Sequence, residues 1–407
     1  VKADWVKPLQ RALPVAIAAL LLVGLVGLGM HSDAKRVSTT SPTTLAVSPS
    51  STGSTSTTVK ADGPLVPPQL AGLVAQLEAF VEQARGLKFL EPVRVTLLSD
   101  KAFRKRIADQ SKTDQAAIDK FTKVLRALDL IPAGTDVAKE QKQLLSGAVL
   151  GYYDPKAKAL FVRGGKPTPA VRDTLVHELT HAVQDQHFHI ERPDIDKKQD
   201  ESSQAFSALL EGDAVRVQQA YLKTLSTKEQ NQVAAEESSD VGDLSHVPRV
   251  LVEALTFPYT AGPRFVNAVL DTAGQARLDA AFVTPPTTSE QVLHPDKFLA
   301  GEAPMAVSEP PADGTVIDRG VFGEFGFIQQ LEGVIDDDNE LLRDAAGWGG
   351  DRYVAWTAGS KTCVRDDVVM DTPQDADELR AGLQKWVDKH PGASLANGPV
   401  MRFTSCA

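Results

Sequence analysis

His177-Glu178-Leu179-Thr180-His181 puts two imidazoles four residues apart with a carboxylate between them. Residues four apart on a helix stack on one face, so both rings can reach one cation while Glu178 projects beside it to meet a water there. The chemistry this pattern supports is metal-assisted hydrolysis with Glu178 as general base. Cys363 and Cys406 are the only cysteines, so a metal here must be held by histidine and carboxylate, a set that zinc accepts. Four of the eight histidines, His177, His181, His187 and His189, fall within thirteen residues.

A catalytic zinc takes a third protein ligand and leaves a fourth position open. His187 stands six residues after His181, but a helix that continues through Gln184 rotates it about 240° away. Glu211, in Leu209-Leu210-Glu211-Gly212-Asp213-Ala214, lies on the next predicted helix. A glycine inside a helix costs about 1 kcal/mol relative to alanine, so Gly212 signals close helix approach at that point. Glu211 is the favoured ligand, with Asp213 and His187 as the alternatives.

These residues need elements to hold them. Leu175, Leu179, Ala182 and Val183 occupy the face beside the histidines, so a helix over 169–187 can sit in a core while presenting His177 and His181 to a cleft. A second helix is predicted over 202–225. Upstream, apolar residues at 70, 73, 74, 77, 80 and 81 predict a helix, 93–98 a strand, 102–130 two helices, and 147–163 a hairpin turning at Asp154-Pro155. Downstream, helices are expected at 249–256, 263–271, 275–282, 287–293, 320–333 and 340–346. Strands at 353–357, 363–369 and 400–403 accompany a helix over 375–389. The acidic stretch 236–243 reads as a mobile loop, and Pro304 to Pro311 as a loop or a lid.

His177-Glu178-Leu179-Thr180-His181-Ala182-Val183-Gln184-Asp185-Gln186-His187-Phe188, followed by Glu211-Gly212-Asp213-Ala214, resembles a family of bacterial zinc metallopeptidases of gluzincin type. Similar blocks run through the body: Gly151-Tyr152-Tyr153-Asp154-Pro155, Phe257-Pro258-Tyr259, Thr288-Ser289-Glu290-Gln291-Val292-Leu293-His294-Pro295 and Gly347-Trp348-Gly349-Gly350-Asp351-Arg352. The resemblance implies a zincin-like fold, Zn2+ on His177, His181 and Glu211, and Glu178 as catalytic base. It departs from the thermolysin type, which places an aspartate four residues after the ligand glutamate, because Val215 stands there. Asp213 or Asp185 is left to orient a ligand histidine.

Hydrolysis of a peptide also needs a donor to the developing oxyanion. Tyr259 and His294 rank first because both lie in the similar blocks, ahead of His246 and Arg352. The strand near Leu160 to Arg163, or its hairpin partner, is the expected edge to which an extended peptide or protein substrate adds.

Residues 12–30 carry no charge over nineteen positions and follow Lys2, Lys7 and Arg11. That length suits a membrane-spanning helix with the body outside the cytoplasm, a cleaved signal peptide and secretion being the alternative. The expected organisation is a cytoplasmic tip and anchor at 1–35, a Ser/Thr-rich linker at 36–63 and a peptidase domain at 64–407. The fold class is α+β, mainly helical, a zincin-like body behind an N-terminal transmembrane helix. Outside the cytoplasm Cys363 and Cys406 are expected to pair. With 53 acidic against 43 basic residues and no basic block, nucleic acid is excluded as a partner. The function expected is a membrane-anchored extracytoplasmic zinc peptidase. The alternatives are a catalytically inactive zincin-like binding domain of the cell envelope and a closed structural zinc site.

Overall fold

The computed structural model describes residues 65–110, 115–148, 150–164, 166–241, 244–396, 398 and 400–407. Helix α1 (Ala71–Arg85) buries Val74, Leu77, Val81 and Arg85 on one stripe and stops at Gly86, whose φ of 78° ends the helix in the left-handed region. Next come β1 (Arg94–Leu98), α2 (Asp100–Gln110), α3 (Gln115–Ala127), α4 (Val137–Ala148), β2 (Gly151–Asp154) and β3 (Ala159–Arg163). β3 is the centre of a three-stranded sheet, parallel to β1 and antiparallel to β2.

Helix α5 (Pro169–Phe188) starts where Thr168 accepts a bond from Val171 N and Pro169 presets the first turn. It is followed by a single turn at Pro193–Asp196, then α6 (Ser202–Leu222), α7 (Thr227–Val241) and α8 (Arg249–Val283). Leu175, Leu179, Val183, Leu209, Phe265 and Val266 join α5, α6 and α8 in one core with α1. From Asp173 to Asp185 every residue of α5 is buried, polar ones included. A helix enclosed on all sides must find internal partners for those polar groups.

The last part comprises α9 (Ser289–Leu293), α10 (Pro295–Ala300), β4 (Thr315–Gly320), α11 (Gly323–Leu331), α12 (Asp338–Ala345), β5 (Trp348–Ala358), β6 (Lys361–Met370), α13 (Pro373–Lys389), β7 (Ala393–Ala396) and β8 (Met401–Cys406). Its strands form an antiparallel sheet ordered β4-β5-β6-β8-β7. Thr372 and Asp375 cap α13 reciprocally, and Trp348, Trp386 and Phe403 fill the core beneath it.

Several expectations are corrected. The region expected as three helices from 249 to 282 is two helical segments within α8: the first runs on through Pro258 and Pro263, and the break expected between 271 and 275 falls at Gly274, where φ is 75° and ψ 179°. Burial against α6 holds the helix together where local propensity would end it. The stretch expected as a loop, 236–243, continues α7 to Val241, because Glu236 accepts from Thr168 Oγ1 at 2.7 Å and Glu229 pairs with Arg172 at 2.7 Å. Ala148 still belongs to α4, so the hairpin begins at Gly151. Pro304 to Pro311 runs beside β5, where Met305 N donates to Gly349 O at 2.6 Å.

The expected anchor, 12–30, and the linker at 36–63 lie outside the described residues. No helix among the described residues is long and apolar enough to cross a membrane. The longest ones are buried in the protein core and carry ionisable groups along their length: His177, Glu178 and Asp173 on α5, Glu211 and Asp213 on α6, Glu253 on α8. The fold class is therefore corrected to a mainly helical α+β body with no transmembrane helix among the described residues. The expected membrane partner and single-pass extracytoplasmic location find no spanning helix among the described residues.

Cys363 and Cys406 are cross-strand neighbours on β6 and β8 and form a disulfide. It closes a loop of 43 residues in sequence separation, for which chain entropy gives about 4 kcal/mol. Intact mass should rise by two hydrogens on reduction. The double variant Cys363→Ser/Cys406→Ser should lose about 2–4 kcal/mol in denaturant unfolding. An unchanged mass and midpoint would remove the bond from the fold.

Candidate metal centre

α5 and α6 lie side by side in the core, and their facing surfaces bring His177, His181 and Glu211 together. His177 Nε2 stands 3.0 Å from His181 Nε2 and 3.0 Å from Glu211 Oε2, and His181 Nε2 stands 3.3 Å from the same oxygen. Ligands about 2.05 Å from a tetrahedral zinc lie about 3.3 Å from one another, close to this triangle. The histidines are fully buried and Glu211 is 2% exposed.

The rest of each imidazole decides what those Nε2 atoms can do. His177 Nδ1 meets Gln218 Oε1 at 2.9 Å, and His181 Nδ1 meets Gln184 Oε1 at 2.9 Å. Neither carboxamide can be reversed. Gln184 Nε2 donates to Leu210 O at 3.2 Å and Asp213 Oδ2 at 3.1 Å, which accept only, and Gln218 Nε2 donates to Asp173 Oδ2, which accepts only in its ionised form, burial pushing the Asp173 pKa up to about 7. Each Nδ1 must then carry a proton, and in the neutral ring each Nε2 keeps a lone pair. Two imidazole nitrogens and a carboxylate oxygen about 3 Å apart need positive charge among them, a second proton on a ring or a metal ion, and this donor set fits zinc.

Charge follows the same logic. Burial opposes ionisation of Glu211, yet His181 and His177 hold its carboxyl down to about 2. Burial also opposes charge on His181, but Glu211 and Glu178 push its pKa up to about 9. The pocket attracts positive charge.

Glu178 sits one residue along α5 and is fully buried. Its Oε2 accepts the backbone N–H of Tyr153 at 2.7 Å, while Oε1 has no hydrogen-bond partner among the described residues. Burial raises its pKa, and Glu211 adds to the rise against the pull of the two histidines. Tyr259 comes from α8, with its ring stacked 6.4 Å from that of His177 and its hydroxyl bonded to Glu211.

Two glycines set this separation. A Cβ on Gly212 would stand 2.3 Å from the Gly262 carbonyl carbon, and one on Gly262 would stand 2.2 Å from Ala208 O. The backbones of α6 and α8 therefore touch. Glu211 adjoins the crossing on one helix, and Tyr259 lies about one turn from it on the other.

Behind the ligands, Asp213 accepts from Gln184, from Arg216 Nη2 at 2.9 Å and from the buried Arg85 Nε of α1. Arg85 also reaches Asp279 at 2.8 Å, tying α1 to the far end of α8. Burial would raise Asp213, but Arg85 and Arg216 hold it below its ordinary value.

The other expected residues fall elsewhere. α5 continues through Gln184, so His187 points outward and meets Lys88 O at 2.8 Å. Asp213 supports Gln184 instead of binding the metal or contacting an imidazole, and Asp185 accepts from Tyr153 Oη at 2.8 Å. His294 pairs with Glu324 at 2.8 Å and lines a cavity of about 550 Å³ with Ala261, Arg264 and Ala268. None of His177, His181 and Glu211 lines that cavity. His246 faces Glu140 at 3.4 Å, and Arg352 donates to Gln199 O at 3.0 Å. Sequence reading missed Gln184 and Gln218, although Gln184 stands three residues after His181 and a carboxamide there is one turn from the ring. A second carboxylate cluster, Glu290, Glu302 and Asp371, already surrounds the ammonium of Lys297, 2.7 Å from Glu290 and 2.8 Å from Glu302.

His177-Glu178-x-x-His181 with Glu211 on the following long helix is the zinc-binding arrangement of gluzincin metallopeptidases, and its geometry matches a zinc-metalloprotease active site. Among known proteins, residues 264–405 match a Domain of unknown function (DUF8575), a stretch that begins after Tyr259 and contains none of the zinc ligands. No curated protein and no solved structure matches the chain.

Chelator competition should give His187→Ala wild-type zinc affinity and reduce it more than about 100-fold in His177→Ala and Glu211→Ala. Equal loss in His187→Ala would return that residue to the ligand set. Gly262→Ala must push the helices apart or distort them. It should cost about 1–3 kcal/mol in stability and weaken zinc binding as well; a neutral result in both would refute the close crossing.

Proposed function

We propose that the protein is a zinc-dependent peptidase in which Glu178 is the general base and Tyr259 donates to the oxyanion. The observation that carries this reading is the placement of Glu178: buried beside both histidines and Glu211, held through Oε2 by Tyr153 N, and left with Oε1 free of a protein partner among the described residues.

His177, His181 and Glu211 would hold the zinc, which when bound would supply Lewis acidity and lower the pKa of a nearby water toward about 7. Glu178 Oε1 accepts the proton of that water, and its raised pKa suits it to hold the proton until the amine nitrogen takes it and leaves. Tyr259 stays protonated, since burial and the neighbouring Glu211 and Glu178 carboxylates push its pKa well above the ordinary phenol value. Its hydroxyl keeps a single proton, bonded to Glu211 here, which it would turn to the oxyanion when substrate is bound. No catalytic role is proposed for His294.

The expected substrate edge is revised. β3 is paired on both sides, which leaves its hairpin partner β2. Arg163 N bonds Leu150 O, so alternation along the antiparallel pair turns the backbone groups of Gly151 and Tyr153 outward. Tyr153 N already meets Glu178 there, which puts this edge beside the base. An extended peptide pairing with β2 would bring its own backbone to the reacting groups.

Glu178→Gln should keep its zinc and lose about 10²–10⁴-fold in hydrolysis of an unfolded protein substrate. Tyr259→Phe should lower kcat by about 10²–10³ with KM little changed. Zinc bound by the wild type with no Glu178-dependent cleavage would sink the peptidase reading in favour of an inactive zincin-like binding domain.

A further inference from the structure

Each ligand histidine is backed by a neutral carboxamide, and each carboxamide by a buried carboxylate. His177 leads to Gln218 and then Asp173; His181 leads to Gln184 and then Asp213. All four backing residues are buried, Asp173, Gln184 and Asp213 completely and Gln218 to 2% exposure. They come from α5 and α6, the two helices that supply the ligands, and the chains cross between them: Gln218 of α6 serves a histidine of α5 and returns to Asp173 of α5.

We infer that Gln218 and Gln184 are positioning residues that lock both imidazoles in the Nδ1–H tautomer while keeping the carboxylate charge one residue back from each ring. This rests on the zinc site and not on the peptidase activity proposed for it. A carboxylate in direct contact with Nδ1–H raises the basicity of the ligand nitrogen, whereas an amide oxygen orients the ring with less charge donation. The choice matters because Glu211 already brings one negative charge to the metal. With amides behind both histidines, the three ligands sum to a single negative charge against the two positive charges of zinc. The ion keeps more of its pull on a carbonyl oxygen.

The aspartates have a separate task. A glutamine side chain can present either end to a ring, and a reversed amide would offer N–H to Nδ1 and force the proton onto Nε2, where it would block the metal. Asp213, held ionised by Arg85 and Arg216, and Asp173 in its ionised form accept N–H only, so they fix which end faces the histidine. Asp173 Oδ1 has no hydrogen-bond partner among the described residues, which leaves the Gln218 amide as the contact that its other oxygen makes.

The test exchanges charge and amide without changing shape. Gln218→Glu/Asp173→Asn preserves every hydrogen bond of the first chain but puts the carboxylate on His177. Gln218→Leu removes the chain. Zinc affinity is read by chelator competition, and geometry by the visible absorption of the cobalt(II)-substituted protein. Gln218→Leu is expected to bind zinc about 10–100-fold more weakly. The exchanged pair should regain at least wild-type affinity, with a shifted cobalt spectrum at unchanged coordination number. If Gln218→Leu does not fold, the exchanged pair alone decides, because it conserves volume and bonding. Wild-type zinc affinity in Gln218→Leu, or an exchanged pair that binds zinc as weakly as Gln218→Leu or has the wild-type cobalt spectrum, would overturn the inference. Failure of the wild type to bind zinc would instead refute the metal site itself.

Discussion

The contact between Gly212 on α6 and Gly262 on α8 governs the geometry around it. With no side chain at either position the two backbones meet, and the residues next to the crossing are carried to within reach of one another. Glu211 thereby faces the histidines of α5 on one side and the Tyr259 hydroxyl on the other. Moving either helix outward by the width of a methyl group would separate the third zinc ligand from the tyrosine.

A second constraint is electrostatic. α5 carries His177, Glu178, His181, Gln184 and Asp185 into a region from which water is largely excluded, and such groups are tolerated only when partnered. The structure meets that demand by layers. The three ligands converge where one cation would sit, two carboxamides take the outer ring nitrogens, Asp173 and Asp213 take the carboxamides, and Arg85 and Arg216 neutralise Asp213. Removing one partner of a buried ion pair such as Arg85 and Asp213 leaves an uncompensated charge, which typically costs about 3–5 kcal/mol. Zinc binding and folding are therefore linked through the same interior.

Much of the helical framework was legible because periodicity and capping residues act locally. α1, α5, α6 and α13 lie close to where their apolar stripes and flanking Pro, Thr and Gly predict them. The errors have a common cause. Pro258 and Pro263 read as helix ends, yet tertiary burial carries α8 through both. The acidic residues near Glu236 read as a loop, yet Thr168 and Arg172 of the α5 region supply the partners that keep α7 helical. In each case a contact distant in the chain outweighed a propensity of about 1–3 kcal/mol. β4 and α4, which were not anticipated, lack a strong signal of their own and are fixed by the neighbours they pair with or pack upon.

For the site, the sequence by itself determined which residues could bind and activate: the i, i+4 spacing of His177 and His181 with Glu178 between them is a property of any helix, and Gly212 beside Glu211 announced a close approach. It also placed two cysteines where the only internal pairing is with each other. Tertiary structure alone decided the partner of that glycine, the pairing of His294 with Glu324, and the two glutamines that set the histidine tautomers. Those outcomes depend on which faces of the helices meet. That is a matter of packing between segments tens of residues apart, and no local pattern records it.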